Sequence, residues 1–522
     1  MKQRKKRSFG NPLFVAISLL ILHIQRRLVF DYLLLPALTS NDAVVTVATS
    51  ASITSTLDAS MPTPNIVVSN DSTVNERIQL LPKATIAYTI AVTACGFPRM
   101  MDGASVLKHS IHRSSIRTPS SGSLYDYHMI AMVHPHAEKC SHLLEKIGYE
   151  IQIKPSPVRL SEIRNKKYAK IIKGSGCCGE KEFLKLYGYN MTEYPVVVQL
   201  DIDTVVTKPL DVLFDVLLLD KSEVTKPVST EYENILPMMM WNESHTTTTN
   251  HPVNAFFTRD YIANLKIQNK SEFIPAQKLH MQGGFLVLRP DPAVFNEYIE
   301  LIKDGDFIPG RGWGEQGWGG VNVGSGGSDR IQGLVSYYYS GLHPNTSIEL
   351  NPCNFDYTGA PSRGDSGVCS TGKENQCQDC REKDISDIYT LHFGGCQKPW
   401  ECPYFGNSMP RQWKIRRKAC LMMHREWHRI RNDLEEHLFL AINSTTTNTT
   451  ISSPQTYHIN NATTTIPDTP NSTTTARLLK EKDQPKHDII SDYYGHCIIR
   501  TKKVRNRFLP YYKYLRMNFS NI

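Results

Sequence analysis

The sequence predicts an α/β chain with a mainly parallel central sheet, and three stretches carry that prediction. Thr85 to Thr93 (TIAYTIAVT) is apolar and β-branched, the composition of a first strand. Val196 to Leu200 is a nearly continuous apolar run, as expected of a strand buried on both faces. Met281 to Pro290 enters a third such strand through a glycine pair, and Pro292 to Lys303 continues it as an amphipathic helix. Strands alternating with helices argue for a parallel sheet, because each crossover must cover one of its faces. Between these markers, Asp102 to Ser110 reads as a helix and His128 to Val133 as a second strand. Residues 161–190 read as mixed helix and loop around the run from Gly174 to Gly179, residues 305–333 as a glycine-rich active-site loop, and residues 411–440 as a helix of mixed charge.

Composition bounds the function classes. The chain has 522 residues, 40% hydrophobic and 21% charged, which excludes collagen-like, coiled-coil, polytopic membrane and wholly disordered chains. Its 59 Lys/Arg against 50 Asp/Glu give +9, but the excess lies at the ends. Lys2, Arg4, Lys5, Lys6 and Arg7 supply one part, and residues 476–522 carry eleven basic residues against Glu481, Asp483, Asp488 and Asp492. The body between is slightly acidic, so no nucleic-acid partner is expected, since that chemistry wants a basic face.

Domain organisation follows from the same reading. Leu13 to Ile24 is a short apolar run behind the basic cluster, and Leu28 to Leu38 is a second one carrying Asp31. Residues 1–38 therefore read as a cytoplasmic basic tail with a signal anchor, or as a cleaved signal peptide. A membrane partner is expected through this segment. Residues 39–82 read as a Ser/Thr-rich stem, 83–440 as one catalytic domain, 441–475 as a Thr/Asn-rich disordered linker, and 476–522 as a basic C-terminal tail. Twelve cysteines and ten N-x-S/T sequons, Asn190, Asn269 and Asn345 among them, point to the secretory route. Cys353, Cys369, Cys377, Cys380, Cys396 and Cys402 cluster late in the domain; disulfides are expected there, with a zinc knot as the alternative. A bridge between Cys396 and Cys402 would brace the loop holding Lys398 and Trp400.

The strongest local chemistry is YPVVVQLDIDTVVTKPLDVLFD, where Asp201 and Asp203 stand just past a buried strand. Parallel sheets bind ligands at that carboxyl edge. A spacing of two puts both carboxylates on one side of an extended chain and Ile202 on the other. Such a pair suits a hard divalent cation, which can in turn hold a diphosphate. The alternative is an acidic strand end that merely caps the following turn.

The segment resembles the D-x-D region of glycosyltransferase family eight, whose members include glycogenin and galactinol synthase. KLYGYNMTEYPVVVQLDID is similar to that family's approach to the motif, and LHFGGCQKPW at 391–400 is similar to its H-F-x-G-x-x-K-P-W. The resemblance covers roughly residues 85–402 and implies a GT-A type, Rossmann-like single domain. It implies a retaining, Mn²⁺-dependent (or other divalent cation-dependent) hexosyltransferase using a nucleotide sugar, UDP-linked, with a glycan or glycoprotein acceptor. It places the metal on Asp201, Asp203 and His392, a donor contact on Lys185, close backbone approach at Gly395 and a phosphate cation on Lys398. One imidazole with two carboxylates favours manganese over magnesium or calcium. Trp400 reads as a core aromatic.

Other segments match more loosely. MQGGFLVLRPD resembles the family's N-[SA]-G strand, with Gln282 and Gly283 at positions usually held by Asn and a small residue. SDRIQGLVSYYY resembles its D-Q-G-L-L-N segment; Gln332 aligns, Ile331 stands at the acid's position, and Asp329 lies three residues earlier. Gln332 and Asp329 are thus the catalytic candidates, and Ala91 and Thr93 the base-binding edge. No carboxylate nucleophile is identifiable, so front-face attack assisted by the leaving phosphate is the mechanism that the resemblance implies. Two other classes stand beside it: a non-enzymatic glycosylated binding module on the same fold, and a glycogenin-like self-glucosylating primer. The expected location is a Golgi or other secretory-pathway membrane, type II with a lumenal catalytic domain, or secreted if the N-terminus is cleaved.

Overall fold

The computed structural model describes residues 81–95, 99–175, 178–218, 238, 253–266, 268–320, 327–400, 417–448, 498–500 and 503–505. In chain order these form β1 (Thr85–Val92), α1 (Arg99–Arg113), β2 (Asp126–Val133), α2 (Ser141–Lys146), β3 (Glu150–Ile153), α3 (Lys166–Gly174), β4 (Val197–Leu200), β5 (Thr204–Val206) and α4 (Asp211–Leu218). They continue with β6 (Ala255–Arg259), β7 (Met281–Leu288), α5 (Pro292–Asp304), β8 (Phe307–Ile308), β9 (Gly312–Trp313), β10 (Trp318–Gly319), α6 (Ile331–Tyr337), β11 (Ser347–Glu349), β12 (Thr390–His392) and α7 (Arg417–Asn448). The expected anchor and all of the stem before residue 81 lie outside the described residues; of the expected Thr/Asn-rich linker, residues 441–448 continue α7 as helix and the remainder lies outside the described residues. Among the described residues no helix is long and apolar enough to cross a membrane.

Seven strands form the central sheet in the order β11-β6-β7-β4-β1-β2-β3. All neighbours pair parallel except those of β7, which runs against both β4 and β6. The expected mainly parallel sheet is therefore present, with one reversed strand in its middle.

The apolar runs are explained by burial on both faces. Ile86, Tyr88, Ile90 and Val92 of β1 join Val198 and Leu200 of β4 and Phe285 and Val287 of β7 in one core layer. Ala87, Val197, Leu286 and Leu288, the alternating neighbours, belong to the opposite layer. A strand whose odd and even side chains both enter a core has no polar face to show, which is why its sequence lacks alternation. The first layer is completed by α1, α4 and α7, and the second by α3, α5 and α6.

Two local expectations are modified. Residues 305–333 are not one loop: β8, β9 and β10 form a small antiparallel sheet, and α6 begins at Ile331. Trp313 drives this, being fully buried with its indole N–H donating to the Ser328 carbonyl at 2.8 Å. Gly312, at φ 109°, turns the chain where a Cβ would meet the Trp318 carbonyl. Second, Cys396 pairs with Cys420 of α7, not with Cys402, which lies outside the described residues. The bridge reaches back to a helix because α7 packs Ala419, Met423 and Trp427 into the core beside Phe393 and Trp400. Cys353–Cys380 and Cys369–Cys377 are also bridged, so these four cysteines hold no zinc knot, and Cys95–Cys140 joins the end of β1 to the segment before α2.

The α7 face predicts a pH dependence. His424 is buried, its Nε2 sits 3.1 Å from the Gln397 carbonyl, and burial depresses its pKa to about 4. A depressed histidine contributes stability that is complete above the unfolded value near 6.5 and lost as pH falls towards 4. His424→Gln should flatten the acid limb of unfolding free energy against pH between those values, an effect of order 3 kcal/mol at most. An unchanged limb in urea titrations would place the acid sensitivity elsewhere.

Candidate functional site

The site is assembled by two strand ends. β4 delivers Asp201 at the carboxyl edge of the sheet, where the Asp201 amide donates to the Gly284 carbonyl of β7 at 3.1 Å. The chain then turns, with the Thr204 amide donating to the Asp201 carbonyl at 3.0 Å, and runs into β5. β12 pairs antiparallel with β5 so that His392 lies opposite Thr204. This ribbon brings His392 to a carboxylate pair nearly two hundred residues earlier in the chain.

Within it, His392 Nε2 lies 3.9 Å from Asp201 Oδ2 and 3.7 Å from Asp203 Oδ2. Asp203 and His392 are buried, and the Asp201 carboxylate is partly open to solvent. The three donor atoms lie within 4.8 Å of one another. These separations are too long for direct hydrogen bonds and suit donors converging on one cation. The donor set of one imidazole and two carboxylates fits a divalent cation.

The imidazole is oriented from behind. Its Nδ1 lies 2.9 Å from Asp356 Oδ1, and Asp356 Oδ2 accepts from Thr258 Oγ1 at 3.0 Å. A carboxylate on one ring nitrogen leaves the other to face the cation, the usual arrangement behind a metal-binding histidine. Burial opposes protonation of His392, but Asp356, Asp203 and Asp201 outweigh it and raise its pKa to about 9 in the metal-free protein. Burial likewise opposes ionisation of Asp203, yet Lys398 and His392 hold its pKa below the ordinary value. The ring is also clamped by glycine: a Cβ on Gly284 would stand 2.4 Å from His392 Cε1.

Two lysines complete the cluster. Lys185, on a 3₁₀ stretch over Gly179–Asn190, donates to Asp201 Oδ1 at 2.8 Å and to the Gly283 carbonyl at 2.5 Å. Burial pulls its ammonium down, and Asp201 and Glu182 more than restore it. Lys398 donates to Asp203 Oδ2 and, at 3.3 Å, to the Phe393 carbonyl, with its side chain 40% exposed. Each carboxylate thus carries its own ammonium.

The remaining expected residues fall in different places. Gln282 and Gly283 open β7 and are half-buried, while Gln332 lies against Gly283, where a Cβ would meet its Cγ at 2.9 Å. Gln332, Gly283, Lys185 and Asp201 therefore form one contiguous line. Asp329 is buried: it accepts from Ser175 Oγ at 2.5 Å and lies 3.6 Å from Arg330 Nε. Ala91 and Thr93 flank the end of β1, beside β4 in the sheet, and the Thr93 hydroxyl lies 3.4 Å from Cys178 Sγ. Gly395 is buried, and Gly394 is the exposed glycine beside the His392 ring. Trp400 is a core aromatic as expected, packed on Gly103 of α1. Asp356 was not legible as a functional residue, since no motif surrounds it; its left-handed φ of 52° is visible only in the fold.

No protein-family model matches the chain, and no curated protein matches it. Solved structures that resemble it include the WbbM bifunctional glycosyltransferase, at 14% identity and a TM-score of 0.34, the match covering 61% of this chain and 47% of that one. Mouse xyloside xylosyltransferase 1 resembles it at 11% identity and a TM-score of 0.32, covering 60% of this chain and 99% of that one. The galactosyltransferase LgtC, solved with donor and acceptor sugar analogues, does so at 12% identity and a TM-score of 0.35, covering 64% and 99%.

Proposed function

We propose that the chain is a retaining glycosyltransferase of the GT-A type that moves a hexosyl group from a UDP-linked sugar to a glycan or glycoprotein acceptor, with Mn²⁺ on Asp201, Asp203 and His392. The observation that carries this reading is the convergence of those three donors with Lys185 and Lys398 at the carboxyl end of β4. Two carboxylates, an imidazole and two ammonium groups at one sheet edge are the complement of a diphosphate and its counter-ion. A cation bound there would neutralise charge developing on the departing diphosphate.

The protein's own groups then have distinct tasks. Lys185, buried and bonded to Asp201 and Gly283, keeps the carboxylate aimed and cannot leave without stranding a charge. Lys398 is the exposed ammonium, so it is the one to exchange Asp203 for the leaving phosphate oxygens. Asp356 holds the His392 ring so that Nε2 is presented. Gln332, whose side chain lies against Gly283, takes the sugar face, and the half-buried Gln282 bonds sugar hydroxyls. With the Asp329 carboxylate held by Ser175 and Arg330, front-face attack assisted by the leaving phosphate is favoured over a covalent intermediate.

Four disulfides and the exposure of Asn190, Asn269 and Asn345 support an oxidising, glycosylating lumen over a cytosolic primer. We place the chain in a Golgi or other secretory-pathway membrane, type II, held by the basic and apolar N-terminal segment. The test is isothermal titration of UDP into the full chain with and without Mn²⁺. Binding that requires metal supports the site; metal-independent binding, or none, favours the non-enzymatic module and removes the basis for the mechanism.

A further inference from the structure

A second cluster of metal-ligating side chains lies away from the sheet edge, where α1 meets α7. His109 stands in the last part of α1, and Asp433 and His437 stand one helical turn apart on α7. Residues four apart on a helix share a face, so α7 presents a carboxylate and an imidazole together to the α1 histidine. Donor atoms of the three lie within 4.8 Å of one another. In the metal-free protein His109 Nε2 is hydrogen-bonded to Asp433 Oδ2 at 2.8 Å, a bond that an ion between them would replace, and the rings of His109 and His437 are 5.6 Å apart edge to face.

We infer that His109, Asp433 and His437 bind Zn²⁺ and so fasten α7 to α1. The chemistry differs from that of the first site in the direction that matters. Two imidazoles and one carboxylate are zinc ligands, whereas two carboxylates and one imidazole suit a harder ion. Burial is graded along the trio: His109 is 6% exposed, Asp433 is intermediate and His437 is exposed. One ligand is thus anchored in the fold, and the open side leaves a fourth position for water. His112 stacks on His109 with centroids 6.2 Å apart and its Nδ1 meets the Tyr127 hydroxyl at 3.1 Å; it stands beside the trio and is not among the converging donors. Arg113 Nε lies 3.3 Å from Asp433 Oδ2 and competes for that oxygen; a carboxylate has a second oxygen, so Arg113 serves as the outer partner of a metal-bound Asp433.

The location gives the site a consequence. α7 holds the 396–400 loop through the Cys396–Cys420 bridge and His424 on the Gln397 carbonyl, and α1 holds it through Gly103 against Trp400. Zinc between α1 and α7 therefore clamps the two helices that carry the Lys398 loop.

The experiment uses the full chain stripped with a chelator, with Zn²⁺ titrated against a competing chromophoric chelator. Asp203→Asn disables the first site, so the equivalent that remains reports on the second. That variant should bind one tight equivalent, and its Tm should rise by about 4 °C at a hundredfold excess over Kd. Adding His437→Ala, at an exposed position whose loss leaves the apo Tm unchanged, should weaken that equivalent by more than 100-fold, beyond the loss expected of an outer partner, and abolish the Tm rise. If Asp203→Asn binds no zinc, or if His437→Ala leaves the titration and the Tm rise intact, the inference is overturned. Retention in His437→Ala would mean zinc on other histidines, such as the pair His134 and His136, whose rings lie 4.8 Å apart.

Discussion

Asp203→Asn is expected to lower metal-dependent sugar transfer, and hydrolysis of the donor, by roughly 10³-fold or more, the scale of several kcal/mol of transition-state charge stabilisation. Asparagine keeps the shape of the side chain, and the Phe393 amide still donates to the residue 203 carbonyl, so the turn between β4 and β5 survives. What disappears is the charge on which His392 Nε2 and Lys398 converge. His392 should also titrate lower in the metal-free variant, because Asp203 is among the carboxylates that raise it. The measurement is initial-rate kinetics across a Mn²⁺ series, beside circular dichroism and Tm to confirm folding. The more drastic Asp203→Ala should lose activity at least as completely. Turnover like the wild type in either variant would remove Asp203 from the site, and with it the proposed function.

The second large effect belongs to a residue that touches neither substrate nor cation. Asp356→Asn should weaken Mn²⁺ binding by about 10–100-fold, the loss typical of removing the partner behind a metal-bound histidine. The sign of its pH dependence separates positioning from packing. In the wild type, His392 must shed a proton held to about pH 9 before it can ligate, so metal affinity should climb with pH towards that value. The same shift means that His392 stabilises the metal-free fold fully below about 6.5, and that this contribution is lost as pH rises through 9. With Asp356 neutral, burial acts on His392 with less opposition, so the climb in affinity should move to lower pH even as its plateau falls. A variant with weaker binding but an unmoved profile would show that Asp356 only fills space beside Thr258.

Much of the fold was legible because its determinants are local. Thr85–Val92 and Val197–Leu200 are strands buried on both faces, and their lack of alternation reports that directly. The glycine-rich region escapes a local reading for the converse reason: turn-forming residues are visible in a sequence, whereas the Trp313 anchor that organises them needs a partner at Ser328. The Cys396 pairing was undecided for the same cause, since α7 must dock before Cys420 comes near.

The sequence by itself determined the two aspartates past a buried strand, the spacing that puts them on one side, and the cysteine and sequon content that points to a lumen. Each is a property of neighbours along the chain or of bulk composition. Only the tertiary structure decided that Lys185 serves Asp201 and Lys398 serves Asp203, that Asp329 is held by Ser175 and Arg330, that Asp356 stands behind His392, and that α1 and α7 bring His109 to Asp433 and His437. In most of these the partners lie far apart in sequence, and even close neighbours such as Asp329 and Arg330 take their roles from what packs around them. A carboxylate or an imidazole carries no local mark of the partner it will meet, so these contacts exist only once the sheet has been ordered and its helices packed upon it.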